Sequence, residues 1–206
     1  MLRRPSRGRY RADMRWDALF ADLEAAAEGE WLRERDAEIA ERTRAELARL
    51  RLLDRLSAAA DRRIGPGPTE VVVQVAGMGT LRGEVARVAA DWFVLLTREY
   101  EWVVAVDAVL GVRGLPSAAR PPGTEGAVSR GLGWAAAWRV LARDRAPVHA
   151  VRRDGSTVSG VPGRVGQDYV ELSDLDDAAG FGPGGTDLVP HAAIAAVRSP
   201  REVGRA

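Results

Sequence analysis

His149 and His191 are the only imidazoles in the 206-residue chain, and neither cysteine nor lysine accompanies them. Imidazoles, thiolates and lysine amines carry most nucleophilic and proton-transfer chemistry, so the repertoire is narrow. Without cysteine there are no disulfides, no thiolate nucleophile, no iron–sulfur cluster and no cysteine zinc site. Without lysine there is no Walker-A lysine, no Schiff base and no lysine general base. The histidines are too far apart in sequence to read as a metal site, and no serine sits in a nucleophile elbow. Gly77-Met78-Gly79 followed by Gly83 has the wrong spacing for a dinucleotide loop and leads into strand rather than helix. Gly182-Pro183-Gly184-Gly185 reads as flexible punctuation. Asp174, Asp176 and Asp177 could attract a cation, but calcium-loop spacing is missing and a solvated loop is the plainer reading. The sequence therefore predicts no catalytic residue, no metal, no cofactor and no small-molecule substrate, which is to say no enzyme.

A net charge of +1 argues against the basic excess of a general nucleic-acid binder, but the balance is local. Met1 to Arg15 holds six arginines against Asp13, whereas Trp16 to Ala60 holds eleven acids against seven arginines. No apolar run approaches the ~20 residues of a membrane helix, and the leader lacks a hydrophobic segment, so a cytoplasmic protein without membrane contact is expected.

The elements that must position any site follow from periodicity. Residues 1–13 have none and read as a disordered basic leader, with Met14 an alternative start. Residues 14–62 form an acidic amphipathic helical region. Trp16, Leu19, Phe20 and Leu23 share one helical face up to Gly29, which weakens or breaks the helix. A second helix is expected from about Trp31 to Ala60, with Ile39, Thr43, Leu47, Leu50 and Leu53 as a narrow stripe. That stripe packs on its own domain or forms a dimer seam. Gly65-Pro66-Gly67-Pro68 ends the helix.

Five short strands then occupy 69–114, a linker 115–123, a helix 124–146 with Thr124 as N-cap, five more strands 147–199, and a disordered tail 200–206. The two strand regions are copies. Each runs strand, turn, glycine, and then an aspartate eight residues after that glycine: Gly83 with Asp91, and Gly160 with Asp168. Strands this short and numerous suggest small barrels, so the fold class is mainly β with N-terminal helices: two tandem five-stranded SH3-like small barrels, each preceded by a helix. A sharply bent strand favours a residue without Cβ, so Gly83 and Gly160 are structural corner glycines. Asp91 and Asp168 precede a strand, where a carboxylate can accept hydrogen bonds from turn amides. Tyr100 and Trp102 alternate onto one face near a hairpin end, as cap packing or as a protein-binding edge.

Arg153 to Gly160, followed by Val165 to Leu172, resembles the first motif of the Sm-like barrels. Leu110-Gly111-Val112-Arg113-Gly114 is similar to that family's second motif, and His191-Ala192-Ala193-Ile194 is similar to the entry into strand five of the bacterial Sm-like RNA chaperone. From Met14 onward the chain also resembles a group of actinobacterial proteins. The resemblance implies a helix before a strongly bent five-stranded barrel, and it places Arg113 and Arg198 where the family contacts RNA. It also implies a base-reading asparagine three residues beyond each aspartate, but Val94 and Glu171 stand there. Two functions follow as expectations. One is an interaction or scaffold protein with a protein partner or self-association. The other is an Sm-like RNA-binding protein with weak, backbone-directed contacts.

Overall fold

The computed structural model describes residues 7–61, 63, 69–121, 123–124, 131–174 and 185–200. The expected Gly-Pro helix stop, the first half of the helix begun at Thr124, the acidic and glycine-rich loop after Asp174 and the tail after Pro200 lie outside the described residues, in whole or in large part. Contacts divide the chain into a unit ending at Arg49 and a second beginning at Leu50.

The first unit contains one helix, α1 (Arg7–Leu47), where the sequence predicted a disordered leader and two helices. Arginine and alanine are strong helix formers, so residues 7–13 join the helix, and it also runs through Gly29. One interior glycine costs only about 1 kcal/mol, and the Gly29 carbonyl accepts a 2.9 Å hydrogen bond from Arg33 Nε. Trp16, Phe20 and Leu23 lie on one side, but at about 100° per residue Ile39, Thr43 and Leu47 fall on the opposite side. All six are exposed within their helix. Glu38 and Arg42 form an i,i+4 pair at 3.5 Å, solvated on both sides. The predicted stripe is cut after Leu47, because a turn intervenes before α2 (Leu52–Ala60). The buried Asp54 carboxylate reaches back to accept the Arg51 backbone N–H at 2.8 Å, which starts a new helix instead of continuing the old one. Leu56, Ser57, Ala58 and Ala59 bury the inner face of α2, which packs on the strand Gly79–Val88.

The second unit is built on ten antiparallel strands. The first repeat supplies β1 (Glu70–Val75), β2 (Gly79–Val88), β3 (Trp92–Leu96), β4 (Tyr100–Ala105) and β5 (Val109–Arg113). The second supplies β6 (Val148–Arg152), β7 (Thr157–Val165), β8 (Tyr169–Asp174), β9 (Thr186–Pro190) and β10 (Ile194–Pro200). Each repeat carries one 3-10 turn before its last strand, at Val106–Ala108 and His191–Ala193. The order is β5-β1-β2-β3-β4-β10-β6-β7-β8-β9 in a single sheet. The sequence expected two separate barrels; the joint between β4 and β10 makes them one open sheet.

That joint accounts for the composition of β10. Ile194, Ala195, Ala196 and Val197 are buried in succession, as befits a strand flanked on both edges and covered on both faces. Val71, Val73, Phe93 and Leu95 of one repeat and Val148, Ala150, Val170 and Leu172 of the other belong to one hydrophobic cluster. Hairpin turns reinforce the joint. Gly77 and Gly155 have φ of +69° and +90°, and a Cβ on Gly77 would lie 2.6 Å from Gly155 N. Arg153 Nη2 also reaches Asp107 Oδ1 across the repeats at 2.6 Å.

The helix between the repeats is α3 (Trp134–Asp144), which lies within the segment 124–146 that the sequence predicts as helical. Thr124 donates its hydroxyl to the Pro121 carbonyl at 2.6 Å, and the residues it would cap lie outside those described. The capping carboxylate comes from the other repeat: Asp91 bonds the Trp134 backbone N–H and sits over Gly133. This long-range cap ties α3 to the β2–β3 turn.

Candidate functional site

Register brings the candidate residues into rows that the linear sequence does not show. Leu95 on β3 faces Trp102 on β4, Trp102 faces Arg198 on β10, Arg198 faces His149 on β6, and His149 faces Ser159 on β7. Directly opposed residues share a face of an antiparallel sheet, so this row crosses both repeats. The Arg198 guanidinium lies 4.6 Å from the Tyr100 ring centroid and 5.9 Å from that of Trp102, and the two rings meet edge to face at 6.4 Å. The expected RNA-contacting arginine and the expected protein-binding aromatics are therefore one cluster. It serves the internal joint. Tyr100 and Trp102 do not lie on a sheet edge, because β4 is paired on both sides.

Arg113 occupies the equivalent place in the first repeat, opposite Val72 on β1 as Arg198 is opposite His149 on β6. It lies apart from Arg198, exposed, with no ion pair among the described residues. Val94 is buried and Glu171 half-buried, so neither copy has an amide at the position that would read a base. His149 Nδ1 and Ser159 Oγ form a close hydrogen bond across β6 and β7 that the sequence reading missed. Its signal was the Asp154-Gly155 turn, since counting outward from that hairpin sets the two residues opposite each other. Asp154 accepts both the Ser156 hydroxyl and the Ser156 backbone N–H, which hold its carboxyl below the ordinary range.

The repeat aspartates also act through the backbone. The Asp91 carbonyl accepts the Val106 N–H at 2.9 Å and the Asp168 carbonyl accepts that of His191 at 2.7 Å, each holding the start of a 3-10 turn. Desolvation at the start of α3 raises the Asp91 carboxyl above its ordinary pKa, against the pull of the Trp134 amide. Gly83 and Gly160 are buried opposite Val71 and Val148, where the next strand crosses closely over them.

His191 is buried, and its Nε2 has no hydrogen-bond partner among the described residues. Burial holds its pKa below the ordinary 6.5; Asp168, the Tyr169 backbone and Asp91 oppose that shift, and Arg139 adds to it. The unfolded chain binds a proton near 6.5, while the folded chain stays neutral until lower pH. Stability should therefore fall as pH drops below about 6.5. Thermal unfolding followed from about pH 7.5 to about pH 5.5, either side of the ordinary imidazole value, should show that decline. His191→Gln should flatten it, and an unchanged slope would exclude His191 as its source.

Among the described residues the ends of the sheet are β5 and β9, each paired on one side only. They carry Leu110 and Leu188, 67% and 63% exposed, the most exposed large apolar side chains among the described residues of this unit. A cleft of about 380 Å³ beside α2 is lined by Ala60, Asp61, Trp92 and Arg120 among others, and Asp61 and Arg120 close on each other at 3.4 Å. No cluster of three or more acidic or histidine side chains suited to a metal occurs among the described residues, and no described helix is long and apolar enough to cross a membrane. In comparisons with known proteins, no family model matches the chain and no curated protein matches it.

Proposed function

We propose that the chain is a non-enzymatic, cytoplasmic interaction protein that works by accepting partner strands at the ends of its sheet. The observation that carries this reading is the pair of unpaired edge strands, β5 and β9, each presenting an exposed leucine. An open edge offers main-chain hydrogen bonds to an added strand. The strand order five, one, two, three, four within each half supports reading the repeats as Sm-like units. Arg198 is engaged with Tyr100 and Trp102, and the base-reading positions hold Val94 and Glu171. The protein-binding branch of that resemblance is therefore favoured over the RNA-binding one.

The test is affinity capture with the immobilised full chain from cells that produce it, with and without nuclease. The wild type should retain a protein partner through nuclease treatment, and Leu110→Lys with Leu188→Lys should reduce capture about tenfold or more, since charge on an edge blocks strand addition. Both leucines are largely exposed, so the fold should tolerate the change. Capture that disappears with nuclease and depends instead on Arg113 and Arg198 would move the assignment to RNA.

A further inference from the structure

The first unit holds α1 and no other described helix, and no described side chain of that unit is buried within it. A helix draws most of its stability from packing an apolar face. α1 has such a face: Trp16, Leu19, Phe20 and Leu23 are 45–59% exposed, and at about 100° per residue they fall within an arc of about 100°. We infer that this face pairs with the same face of a second copy, the two α1 helices lying antiparallel about a two-fold axis between Leu19 and Phe20. The contact uses neither edge of the sheet, so it stands or falls apart from the strand-addition reading above.

Charge on either side of the patch selects that occupant. Residues 7–15 hold four arginines and one aspartate, whereas residues 22–30 hold four acids and no base. Antiparallel overlap lays the basic stretch of each copy along the acidic stretch of the other; parallel overlap would set like charge on like. Counting outward from the midpoint gives the register. Leu19 faces Phe20 of the second copy, Trp16 faces Leu23, Ala12 faces Ala27, and Arg9 faces Glu30. By helical spacing all eight positions share the arc of the four large side chains. The face is therefore bulky and apolar at its centre, small beside it, and oppositely charged at its two ends.

The other half of α1 lacks this pattern. Residues 32–49 hold five arginines and five acids intermixed, and their charges pair within the helix, Glu38 with Arg42 at 3.5 Å and Glu41 with Arg44 at 2.8 Å. Asp22, Glu24, Glu28 and Glu30 have no ion pair among the described residues. Asp17 and Glu24 of the two copies come near one another beside the seam and oppose it, so the apolar centre supplies the attraction and the charged ends fix the orientation. Residues 9–30 give about 33 Å of paired helix. A contact in which each copy offers the same surface closes on itself as a dimer.

Sedimentation velocity of the full chain over a wide concentration range tests this. The wild type should pass from monomer to dimer, and Phe20→Glu should move that transition about tenfold or more upward in concentration. Arg9→Glu with Arg11→Glu should weaken pairing about tenfold, as should Glu28→Arg with Glu30→Arg, and all four changes in one chain should restore it. Far-UV circular dichroism checks that each variant keeps its helix. Leu110→Lys with Leu188→Lys should leave the transition where it is. The chain has no cysteine, so Ala12→Cys protein mixed with Ala27→Cys protein should form a disulfide-linked pair on oxidation, whereas Ala27→Cys protein alone should not. A wild type that stays monomeric throughout, a Phe20→Glu chain that pairs as well as wild type, or Ala27→Cys protein that links to itself as readily as to Ala12→Cys protein overturns the inference. Pairing lost in the leucine variant instead would assign self-association to the sheet and overturn it as well.

Discussion

Replacing Gly160 with alanine is expected to destabilise the sheet by about 3 kcal/mol, and the same change at Gly83 by at least as much. The cause is the path of the neighbouring strand. A Cβ at Gly160 would lie 2.5 Å from the Ser173 carbonyl oxygen and 3.2 Å from Leu172 Cβ; at Gly83 it would meet the Leu96 carbonyl oxygen, with the carbonyl carbon at 2.9 Å and Leu95 Cγ at 3.2 Å. Backbone atoms cannot rotate aside as a side chain can, so relief requires β3 or β8 to move out of a ladder that other pairings hold. Thermal midpoints should fall by roughly 10 °C for a unit of this size. Gly111→Ala is the control. Its nearest neighbour would be Gln74 Oε1 at 3.8 Å, and the second repeat already has Ala196 there, so that midpoint should stay within about 2 °C of wild type. A Gly160→Ala protein as stable as Gly111→Ala would mean that β8 gives way freely, and the close-approach argument would fail for both repeats.

The glycines were legible because their reason is local to a hairpin: a strand, a turn and a returning strand lie within one short segment. The ten strands were legible for the same reason. What the sequence concealed is everything set by distant backbone. Nothing in Tyr100–Ala105 announces that β10 will lie beside it, since main-chain pairing carries no side-chain signature. Only the unbroken apolar run at Ile194 to Val197 hinted at a strand covered on all sides. α3 lies within the helical segment that the sequence predicted, but the carboxylate at its start, Asp91, comes from the other repeat, where a search among adjacent residues does not look. In α1 the error ran the other way: the leader was read as disordered for lack of periodicity and Gly29 as a weak point or break, although one long helix takes in residues 7–13 and Gly29.

The candidate residues divide along the same line. Arg198, Tyr100 and Trp102 were each singled out by type and position, but as two sites on two surfaces, and the β4·β10 register unites them. The edges that remain open were identified by elimination: once β4 is paired, the strands left for a partner are β5 and β9. Leu110 and Leu188 carried no signal in sequence, because an apolar residue in a strand is ordinarily read as core. Their significance comes from being the exposed counterparts of residues that the inner joint buries.

Trp138→Ala should cost about 3–5 kcal/mol, whereas Trp138→Phe should cost about 1 kcal/mol or less. Trp138 is fully buried in the common core, stacked on Trp134 at 6.2 Å with the rings 29° apart, on the helix that covers β7 and β8. Truncation to alanine removes the largest side chain in that layer and leaves a void that the sheet backbone cannot collapse to fill. Phenylalanine keeps most of the ring contact and acts on a second term of opposite sign. The indole Nε1 is buried without a hydrogen-bond partner among the described residues, and an unsatisfied buried donor costs about 1–3 kcal/mol. Removing that donor offsets the smaller ring. Chemical denaturation followed by near-UV circular dichroism would resolve the two variants, since that signal reports packing in the sheet unit more than helix content. Equal losses for Phe and Ala would show that the indole N–H is satisfied in solution, by water or by a residue outside those described, and that α3 is held by a polar contact as well as by packing.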